Sequence, residues 1–256
     1  MKIHGTAKGA ALSTKDFGVA FGGAVATLPY PDSLGSDANA TSVDIENDAV
    51  NTTDEILGTG CFEFNGNSNY CVLPNDLDTM LSGAFSFSCW AYVANASASN
   101  VTVISKPAKA DWQEPYHSFT IQQNGTNFEF VTNDTSTYVV MSNAVGGTGW
   151  HNLVVTKTAL NAFSFYVDND TPVTATHSST WGTQAWMIGD IPEQSRYWDG
   201  LIDDMVFLKR VLTSDDIESL YNSGSGNLAS TLDHDDIIAY YTFDDIALDN
   251  AAMPVS

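Results

Sequence analysis

The segment from Trp198 to Tyr221 limits what this chain can fold into more than any other part of the sequence. Between residues 201 and 208, apolar side chains recur on both faces of a predicted strand, at the period of two that strands require. A tight corner then leads into a short helix. The alternation places Ile202, Val206 and Leu208 on one face and Leu201, Met205 and Phe207 on the other.

One short helix is predicted after this strand. Thr213 suits the N-cap, and Asp216 occupies the position from which a side chain bonds back to the cap. Ile217, Leu220 and Tyr221 give the helix one apolar side. A single capped helix is therefore expected near the C-terminus.

The composition favours one large β domain. Of the 256 residues, 43% are hydrophobic and 11% aromatic, enough for a substantial core, while only 16% are charged. Asn, Ser, Thr and Gly supply most of the polarity and suit turns and strands more than helices. No apolar run approaches the roughly 20 residues of a membrane-spanning helix, so no membrane insertion is expected.

The net charge is -22, from 31 acidic and 9 basic residues. A phosphate backbone would be repelled, so nucleic-acid binding is not expected. Two interpretations of the acidity stay open: a surface adapted to salty surroundings, or carboxylates grouped around divalent cations.

The three cysteines, Cys61, Cys71 and Cys89, are expected to be buried free thiols. Cys61 and Cys71 could face each other across a hairpin, but spacing alone does not establish a bond. Residues 1–12 lack the long apolar segment of a secretory signal, so export by the common route is not indicated.

Residues 1–22 are predicted to form an N-terminal arm, and residues 23–256 one β-sandwich. The opening is rich in Gly and Ala, has no clear strand or helix period, and carries Lys2, Lys8 and Lys15. An ordered arm needs a surface to lie against, such as a neighbouring subunit.

Strand signals follow closely through the predicted sandwich. The hairpin of residues 61–74 turns at Asn65-Gly66, a dipeptide typical of tight hairpins. Further strands are predicted over residues 85–93, 101–105, 117–123, 127–132, 150–157, 161–168 and 237–243.

The order of these elements resembles the laminin-G-like and pentraxin-like branch of the concanavalin A-like lectin fold. The likeness rests on the hairpin at 61–74, the tryptophan strand and hairpin at 150–168, and the strand and helix at 198–221. It runs from about Asp32 to Phe243. It implies an all-β fold, an antiparallel two-sheet jelly-roll sandwich with one short helix near the C-terminus. Domains of this fold usually bind, and only some catalyse.

The resemblance also implies a calcium site on two loops. Asp111 lies where pentraxins place a calcium-binding Asp, and the acidic ligand cluster of that family corresponds to Asp190, Glu193 and Gln194. The match is incomplete, because the family's Asp-Asn pair is Asp111-Trp112 here. Calcium ligands and ordinary solvated loop residues are the two interpretations that remain open.

A second cation site is suggested by four further acids, because laminin-G-like domains often keep an Asp in the penultimate strand near the opening loop. These acids are Asp32, Asp203, Asp204 and Asp244. Strand alternation sends Asp203 and Asp204 to opposite faces, so at most one of them is expected to point at a given site. Outward acids at a sheet edge are the alternative.

Aromatic residues in or beside predicted loops suggest glycan recognition, because the apolar faces of sugar rings stack on aromatic side chains. Trp90 and Trp150, which lie within alternating strands, are expected in the core. The predicted glycan contacts are Trp112, Tyr116, Tyr197 and Trp198.

Catalysis is not expected. Glycosidases on related folds carry Glu-x-Asp-x-x-Glu on one strand. The nearest segment here, Glu46-Asn-Asp48-Ala-Val-Asn51, lacks the second Glu and lies in a predicted loop. The five His are scattered, without a Ser/His/Asp or Cys/His grouping.

The sequence is interpreted as a non-enzymatic virion structural or surface protein: a decoration, fibre or spike component of a phage or related virus. The first 21 residues resemble the short starts of small phage structural proteins. An arm can attach the sandwich to other virion proteins, or to copies of itself, while its loops face host surface glycans. The alternatives are a cell-surface or secreted glycan-binding adhesin and a polysaccharide-active enzyme on the same fold.

Overall fold

The computed structural model describes most of the chain in blocks separated by short gaps. The described residues are 12–21, 24–31, 42–46, 50–52, 55–58, 60–73, 75–108, 116–134, 137–144, 146–179, 181–182, 184–191 and 194–243.

Strands dominate the described residues. They begin with β1 Leu12–Phe21, β2 Ala24–Pro31, β3 Ser42–Glu46, β4 Val50–Thr52, β5 Cys61–Asn65, β6 Tyr70–Leu73, β7 Phe85–Val93, β8 Ser99–Pro107 and β9 His117–Asn124. They continue with β10 Asn127–Asp134, β11 Thr137–Ala144, β12 Gly149–Lys157, β13 Ala162–Val167, β14 Val173–Thr176, β15 Trp186–Ile188, β16 Asp199–Leu208 and β17 Ile237–Tyr241. The helix α1 spans Ser214–Tyr221, and 3-10 turns span Asn75–Ser82, Asn222–Gly224, Ala229–Thr231 and His234–Asp236.

These strands form two sheets. The nine-stranded sheet has the order β11-β10-β9-β8-β15-β6-β3-β1-β2. The eight-stranded sheet has the order β14-β13-β12-β7-β16-β5-β4, with β17 also paired to β16. Pairing is antiparallel except between β1 and β3, which run parallel. The predicted all-β, two-sheet sandwich with one short helix near the C-terminus is confirmed.

The core between the sheets is built on aromatic residues. The ring centroid of Phe119, in the nine-stranded sheet, lies 5.5 Å from that of Phe87 in the eight-stranded sheet. It also lies 5.1 Å from that of Trp186, and Phe207 lies 5.0 Å from Phe87. All four side chains are buried. Edge-to-face contacts of this kind add to the apolar burial that holds the sheets together.

The helix α1 forms as the sequence predicts. Thr213 Oγ1 accepts a hydrogen bond from the Asp216 amide at 3.2 Å, and Asp216 Oδ2 accepts one from the Thr213 amide at 2.8 Å. Ile217 and Leu220 are buried beneath the helix. The Tyr221 ring stacks on a residue of the eight-stranded sheet, so α1 lies on the outer face of that sheet.

A β-bulge in β16 changes which residues share a face. Between Asp203 and Val206 the strand advances three residues while β7 advances two. Asp204, within this bulge, has a φ of 46°. The extra residue inverts the alternation, so Ile202 shares the inner face with Phe207 and not with Val206. The predicted grouping of Ile202 with Val206 is wrong.

The first described residues differ from the predicted arm. Strand β1 pairs antiparallel with β2 and parallel with β3 in the nine-stranded sheet. The expectation that residues 1–22 contain no strand is therefore wrong for residues 12–21, and residues 1–11 lie outside the described residues. The division of the chain at residue 22, and a role of this segment in assembly, stay predictions.

Two further expectations concern the cysteines and the membrane. Cys61, Cys71 and Cys89 are buried free thiols, as predicted. Across the described ranges, no helix is both long and apolar enough to cross a membrane.

Candidate functional site

A row of four side chains crosses the outer face of the eight-stranded sheet. The register pairs Trp150 of β12 with Tyr92 of β7, Tyr92 with Leu201 of β16, and Leu201 with Glu63 of β5. Side chains paired in this way point to the same side of a sheet. Trp150 and Tyr92 are half-buried and Glu63 is exposed. The row therefore presents two aromatic rings and one carboxylate at the surface.

A cleft of about 540 Å³ opens along this row, and we call it the outer cleft. Strands β5, β7 and β16 supply most of its lining, so the cleft is built on rigid sheet backbone. It is lined by Glu55, Glu63, Phe64, Tyr92, Ala94, Asp199, Gly200 and Leu201.

Gly200 allows the strands to approach closely at the floor of the outer cleft. Its φ is 154°, and a Cβ atom added there would lie 2.1 Å from the carbonyl oxygen of Tyr92. Only glycine avoids this clash. A larger residue at position 200 would force β16 and β7 apart beside Tyr92.

Glu55 reaches the outer cleft from a separate segment that crosses the sheet. Asp203 holds this segment, because its Oδ2 accepts hydrogen bonds from the Ile56 amide at 3.3 Å and the Leu57 amide at 3.1 Å. Oε2 of Glu55 is enclosed and has no hydrogen-bond donor among the described residues. An enclosed acceptor without a donor costs free energy, so a ligand that brings a donor to Glu55 would be stabilised.

The outer cleft is acidic. Glu55, Glu63 and Asp199 line it, while no Lys, Arg or His is among its described lining residues. Lys106 and Lys157 are buried and bonded to groups inside the sandwich. Their charges therefore do not balance the carboxylates at this surface.

Tyr92 and Trp150 form the aromatic side of the row. Their ring centroids are 5.6 Å apart and the ring planes meet at 75°, an edge-to-face contact. Such a contact steadies both rings while leaving part of each exposed. The outer cleft can therefore stack an apolar ring face on an aromatic side chain and accept hydrogen bonds through its carboxylates.

The first predicted calcium site is only partly described. Asp190 and Gln194 lie on the loop after β15, whereas Asp111 and Glu193 lie outside the described residues. In the part of the chain that the structure covers, no group of three or more His, Cys, Asp or Glu could hold a metal ion. Calcium binding at this loop stays a prediction.

Asp190 has partners within its own loop and the neighbouring sheet. Its Oδ1 accepts a hydrogen bond from the Arg196 amide at 2.9 Å, and its carbonyl accepts one from Ser105 Oγ at 2.8 Å. Burial raises the pKa of Asp190 to about 6, although the amides of Ile191 and Arg196 act in the opposite direction. The carboxyl group therefore stabilises the fold of the loop.

In the second predicted cation site, both described carboxylates bond to protein groups. Asp203 accepts the two amides given above, while Asp204 accepts the Ala229 amide at 3.0 Å and the Tyr240 hydroxyl. Because of the bulge, both carboxylates reach segments that cover the same outer face. The prediction of opposite faces is wrong. The other two residues of the set, Asp32 and Asp244, lie outside the described residues.

Two of the predicted glycan contacts are in the interior. Trp198 is 0% exposed and Tyr116 is 1% exposed. Neither ring has a free face for a sugar, so their assignment as glycan contacts is corrected. Tyr197 is half-buried, and Trp112 lies outside the described residues.

Sequence reasoning missed Tyr92, Trp150 and Glu63 as candidate contacts. The alternation in β7 sets Trp90 and Tyr92 on the side opposite the core phenylalanines, and two aromatic residues at outward positions need a cover or a ligand. Trp150 was expected in the core and is half-buried. Trp90 is buried as predicted, but it lies beneath α1, where its ring centroid is 6.1 Å from that of Tyr221.

Comparison with solved structures finds the same fold in toxin domains. The receptor binding domain of botulinum neurotoxin C/D mosaic serotype has a TM-score of 0.58 and 15% identity, over 77% of this chain and 48% of that one. A botulinum neurotoxin type C structure, whose title gives cell entry as dependent on two ganglioside molecules, has a TM-score of 0.55 and 17% identity, over 77% and 48%. The binding domain of Paraclostridial Mosquitocidal Protein 1 has a TM-score of 0.54 and 10% identity, over 73% and 48%.

The chain thus spans about half the length of the toxin domains that it matches. No curated protein matches the sequence. A laminin G family model of the concanavalin A-like lectin/glucanases superfamily matches residues 65–218. This range is more than half of the chain and includes strands of both sheets, so the chain belongs to the concanavalin A-like lectin/glucanases superfamily.

Proposed function

We propose that this domain is a non-enzymatic, lectin-like module that binds a glycan in the outer cleft. The observation that carries the proposal is the position of Tyr92, a half-buried ring beside the exposed carboxylates of Glu63 and Asp199. Sugar rings combine apolar faces with hydroxyl donors, and this lining offers a partner for each.

The rigidity of the site supports binding. Glu63, Tyr92 and Leu201 sit in register on three adjacent strands, so little conformational freedom is lost when a ligand orders them. Low ordering cost favours affinity. The structural neighbours described as receptor binding domains, one of them with ganglioside-dependent entry, are consistent with a binding role for this fold.

A glycan array followed by titration calorimetry tests the proposal. We expect Tyr92→Ala to weaken binding of any array hit at least tenfold, about 1.4 kcal/mol. Tyr166→Ala is the matched control, because Tyr166 is a half-buried tyrosine on the same face but outside the outer cleft. An array without hits, or equal losses in the two variants, would contradict glycan binding at this site.

Glycoside hydrolysis is the second candidate function, because two exposed carboxylates share the outer cleft. Asp199 pairs with Asn65 and Leu201 with Glu63, so Asp199 and Glu63 are diagonal neighbours on one face. Diagonal neighbours in a sheet are about 7–8 Å apart, within the range over which paired carboxylates cleave glycosides. Release of reducing ends from array hits, abolished by Glu63→Gln, would establish this function over binding alone.

We also propose calcium as a ligand of the loop after β15, together with Asp111 and Glu193. The support is the match of these positions to the pentraxin pattern and the presence of Asp190 and Gln194 on one loop. Saturating calcium at about 100 times its dissociation constant would add about 2.7 kcal/mol to the stability. Identical melting curves in calcium and in chelator, for wild type and for Asp111→Asn, would exclude the site.

The setting that we propose is the surface of a virus particle, where the sandwich would present the outer cleft to host glycans. The acidic surface and the similarity of the opening segment to phage structural proteins support this setting. Mass spectrometry of purified particles should find the chain at a fixed copy number. Its recovery from a cell surface or culture medium instead would favour the adhesin.

A further inference from the structure

We infer that the outer cleft selects glycans that carry a free, protonated amine, such as a de-N-acetylated amino sugar. The inference rests on the proposed function and specifies its ligand class. It combines three observations on one surface: an aromatic face, a set of carboxylates, and an enclosed carboxylate oxygen that lacks a donor.

The aromatic face and the carboxylates suit the same cation. An ammonium group is attracted to the face of Tyr92 and to opposite charges within a few ångströms. Glu63 and Asp199 are exposed on the same face, diagonal to each other across β5 and β16. A sugar that stacks on Tyr92 would therefore bring an amine substituent next to two carboxylates.

Glu55 supplies the observation that points most directly to a donor. Its Oε2 is enclosed without a hydrogen-bond donor among the described residues, while the side chain lines the outer cleft. The last torsion of a glutamate is broad, so the carboxyl group can turn either oxygen toward the cleft. A protonated amine has three N–H donors and a positive charge, and it would both satisfy Glu55 and offset its charge.

Other ligand charges fit less well. No group of three or more acids among the described residues could hold a metal ion, so these carboxylates do not converge on one atom. An ammonium group on a sugar accepts a looser arrangement. Anionic glycans, including sialylated ones, would face the carboxylates without any basic residue in the described lining. The net charge of -22 would repel them further.

Titration calorimetry with four probes tests the inference on the full chain. The probes are a glucosamine tetramer with free amines, the N-acetylated tetramer, sialyllactose, and an oligolysine tetramer. Measurements at pH about 6 keep the carboxylates ionised, since the usual pKa values of Asp and Glu are about 4. We expect the free-amine tetramer to bind at least tenfold more tightly than the N-acetylated one, and added salt to reduce this preference.

Charge-neutral variants connect the preference to the site. Glu63→Gln and Asp199→Asn keep size and shape, and each should reduce the preference for the free amine at least threefold while the melting temperature stays unchanged. Tyr92→Ala should weaken both tetramers. Glu218→Gln, an exposed acid on α1 outside the outer cleft, is the control and should leave the preference intact.

The outcomes separate this inference from the proposed function. Equal or tighter binding of the N-acetylated tetramer or of sialyllactose, still lost in Tyr92→Ala, would overturn the amine preference and leave glycan binding in place. Tighter binding of oligolysine than of the free-amine tetramer would also overturn it, in favour of a basic protein segment as the partner. Binding of no tetramer at all would overturn both.

Discussion

The outer face of the eight-stranded sheet has two regions that share strands but differ in what lies over them. Trp90 and Tyr92 are two residues apart on β7 and point to the same side. Trp90 is 1% exposed beneath Tyr221 of α1, whereas Tyr92 is half-buried at the outer cleft. One aromatic residue is thus core and the other a candidate contact, although strand position treats them alike.

The acids of β16 show the same division. Asp203 and Asp204, at the bulge, accept backbone amides from segments that cover the sheet. Asp199, at the start of the strand, is exposed in the outer cleft. Carboxylates that anchor a cover contribute to stability, while those beyond its edge are accessible to a ligand. The edge of the cover therefore determines where function can lie.

Matched aromatic truncations give the largest expected contrast between the two regions. Trp90→Ala should cost about 3–5 kcal/mol, as for other buried aromatic residues. Tyr92→Ala should cost less than about 1.5 kcal/mol, because the ring is already partly in water. Denaturant unfolding measures both. Similar losses would mean that Tyr92 belongs to the core and that the outer cleft is not a surface site.

Removing the cover should have the next largest effect. Leu220 is 1% exposed beneath α1, and Leu220→Ala should cost about 2–5 kcal/mol. Ser219→Ala, at an exposed position of the same helix, is the control and should change stability by less than about 0.5 kcal/mol. If Leu220→Ala lost as little as the control, the helix would not cover the sheet in solution.

Releasing the anchor should connect the two regions. Asp203→Ala leaves the Ile56 and Leu57 amides without their acceptor and should cost about 1–3 kcal/mol. It should also weaken glycan binding, because these amides hold the segment that carries Glu55. Asp199→Asn, with no such anchoring role, should leave the unfolding free energy nearly unchanged. An unaltered affinity in folded Asp203→Ala would show that the anchored segment does not shape the outer cleft.

The fold could be predicted because local patterns and long-range packing agree. The capping pair Thr213 and Asp216, the apolar side of α1 and the alternating strands each point to the structure that is observed. The bulge at Asp204 could not be predicted, because it inserts one residue without a glycine or proline to mark it. Its consequence was the wrong face for Val206.

The candidate site was harder to predict for a related reason. Alternation identifies the outward residues of β7 but not the segment that covers them, since Tyr221 and Leu57 are distant in sequence. Trp198 was placed at a surface because it sits beside a loop, yet it packs inside the sandwich. Residues 12–21 lacked a periodic apolar pattern, and their strand is defined by its pairing partners.

The smallest expected effect is a pH-dependent one at the start of the cover. Asp216 accepts hydrogen bonds from Arg210 at 2.6 Å and from the amide and hydroxyl of Thr213 at 2.8 Å. Burial alone would raise the pKa of Asp216, but these bonds and the Arg210 charge outweigh it and lower the pKa to about 2.

The unfolded pKa of an Asp is about 3.9, so the unfolded chain takes up this proton first as the pH falls. The contribution of Asp216 is therefore complete above about pH 4 and is lost as the pH falls toward 2. Asp216→Asn should cost about 1 kcal/mol at pH 7, in the range measured for helix caps, and progressively less below pH 4. Denaturant unfolding of wild type and variant at pH 7, 5 and 3 measures the difference. Asp215→Asn, an exposed acid in the same first turn, should show a smaller cost without this dependence. A cost for Asp216→Asn that stays constant down to pH 3 would mean that neutral hydrogen bonds, and not the charge paired with Arg210, hold the helix start over the sheet.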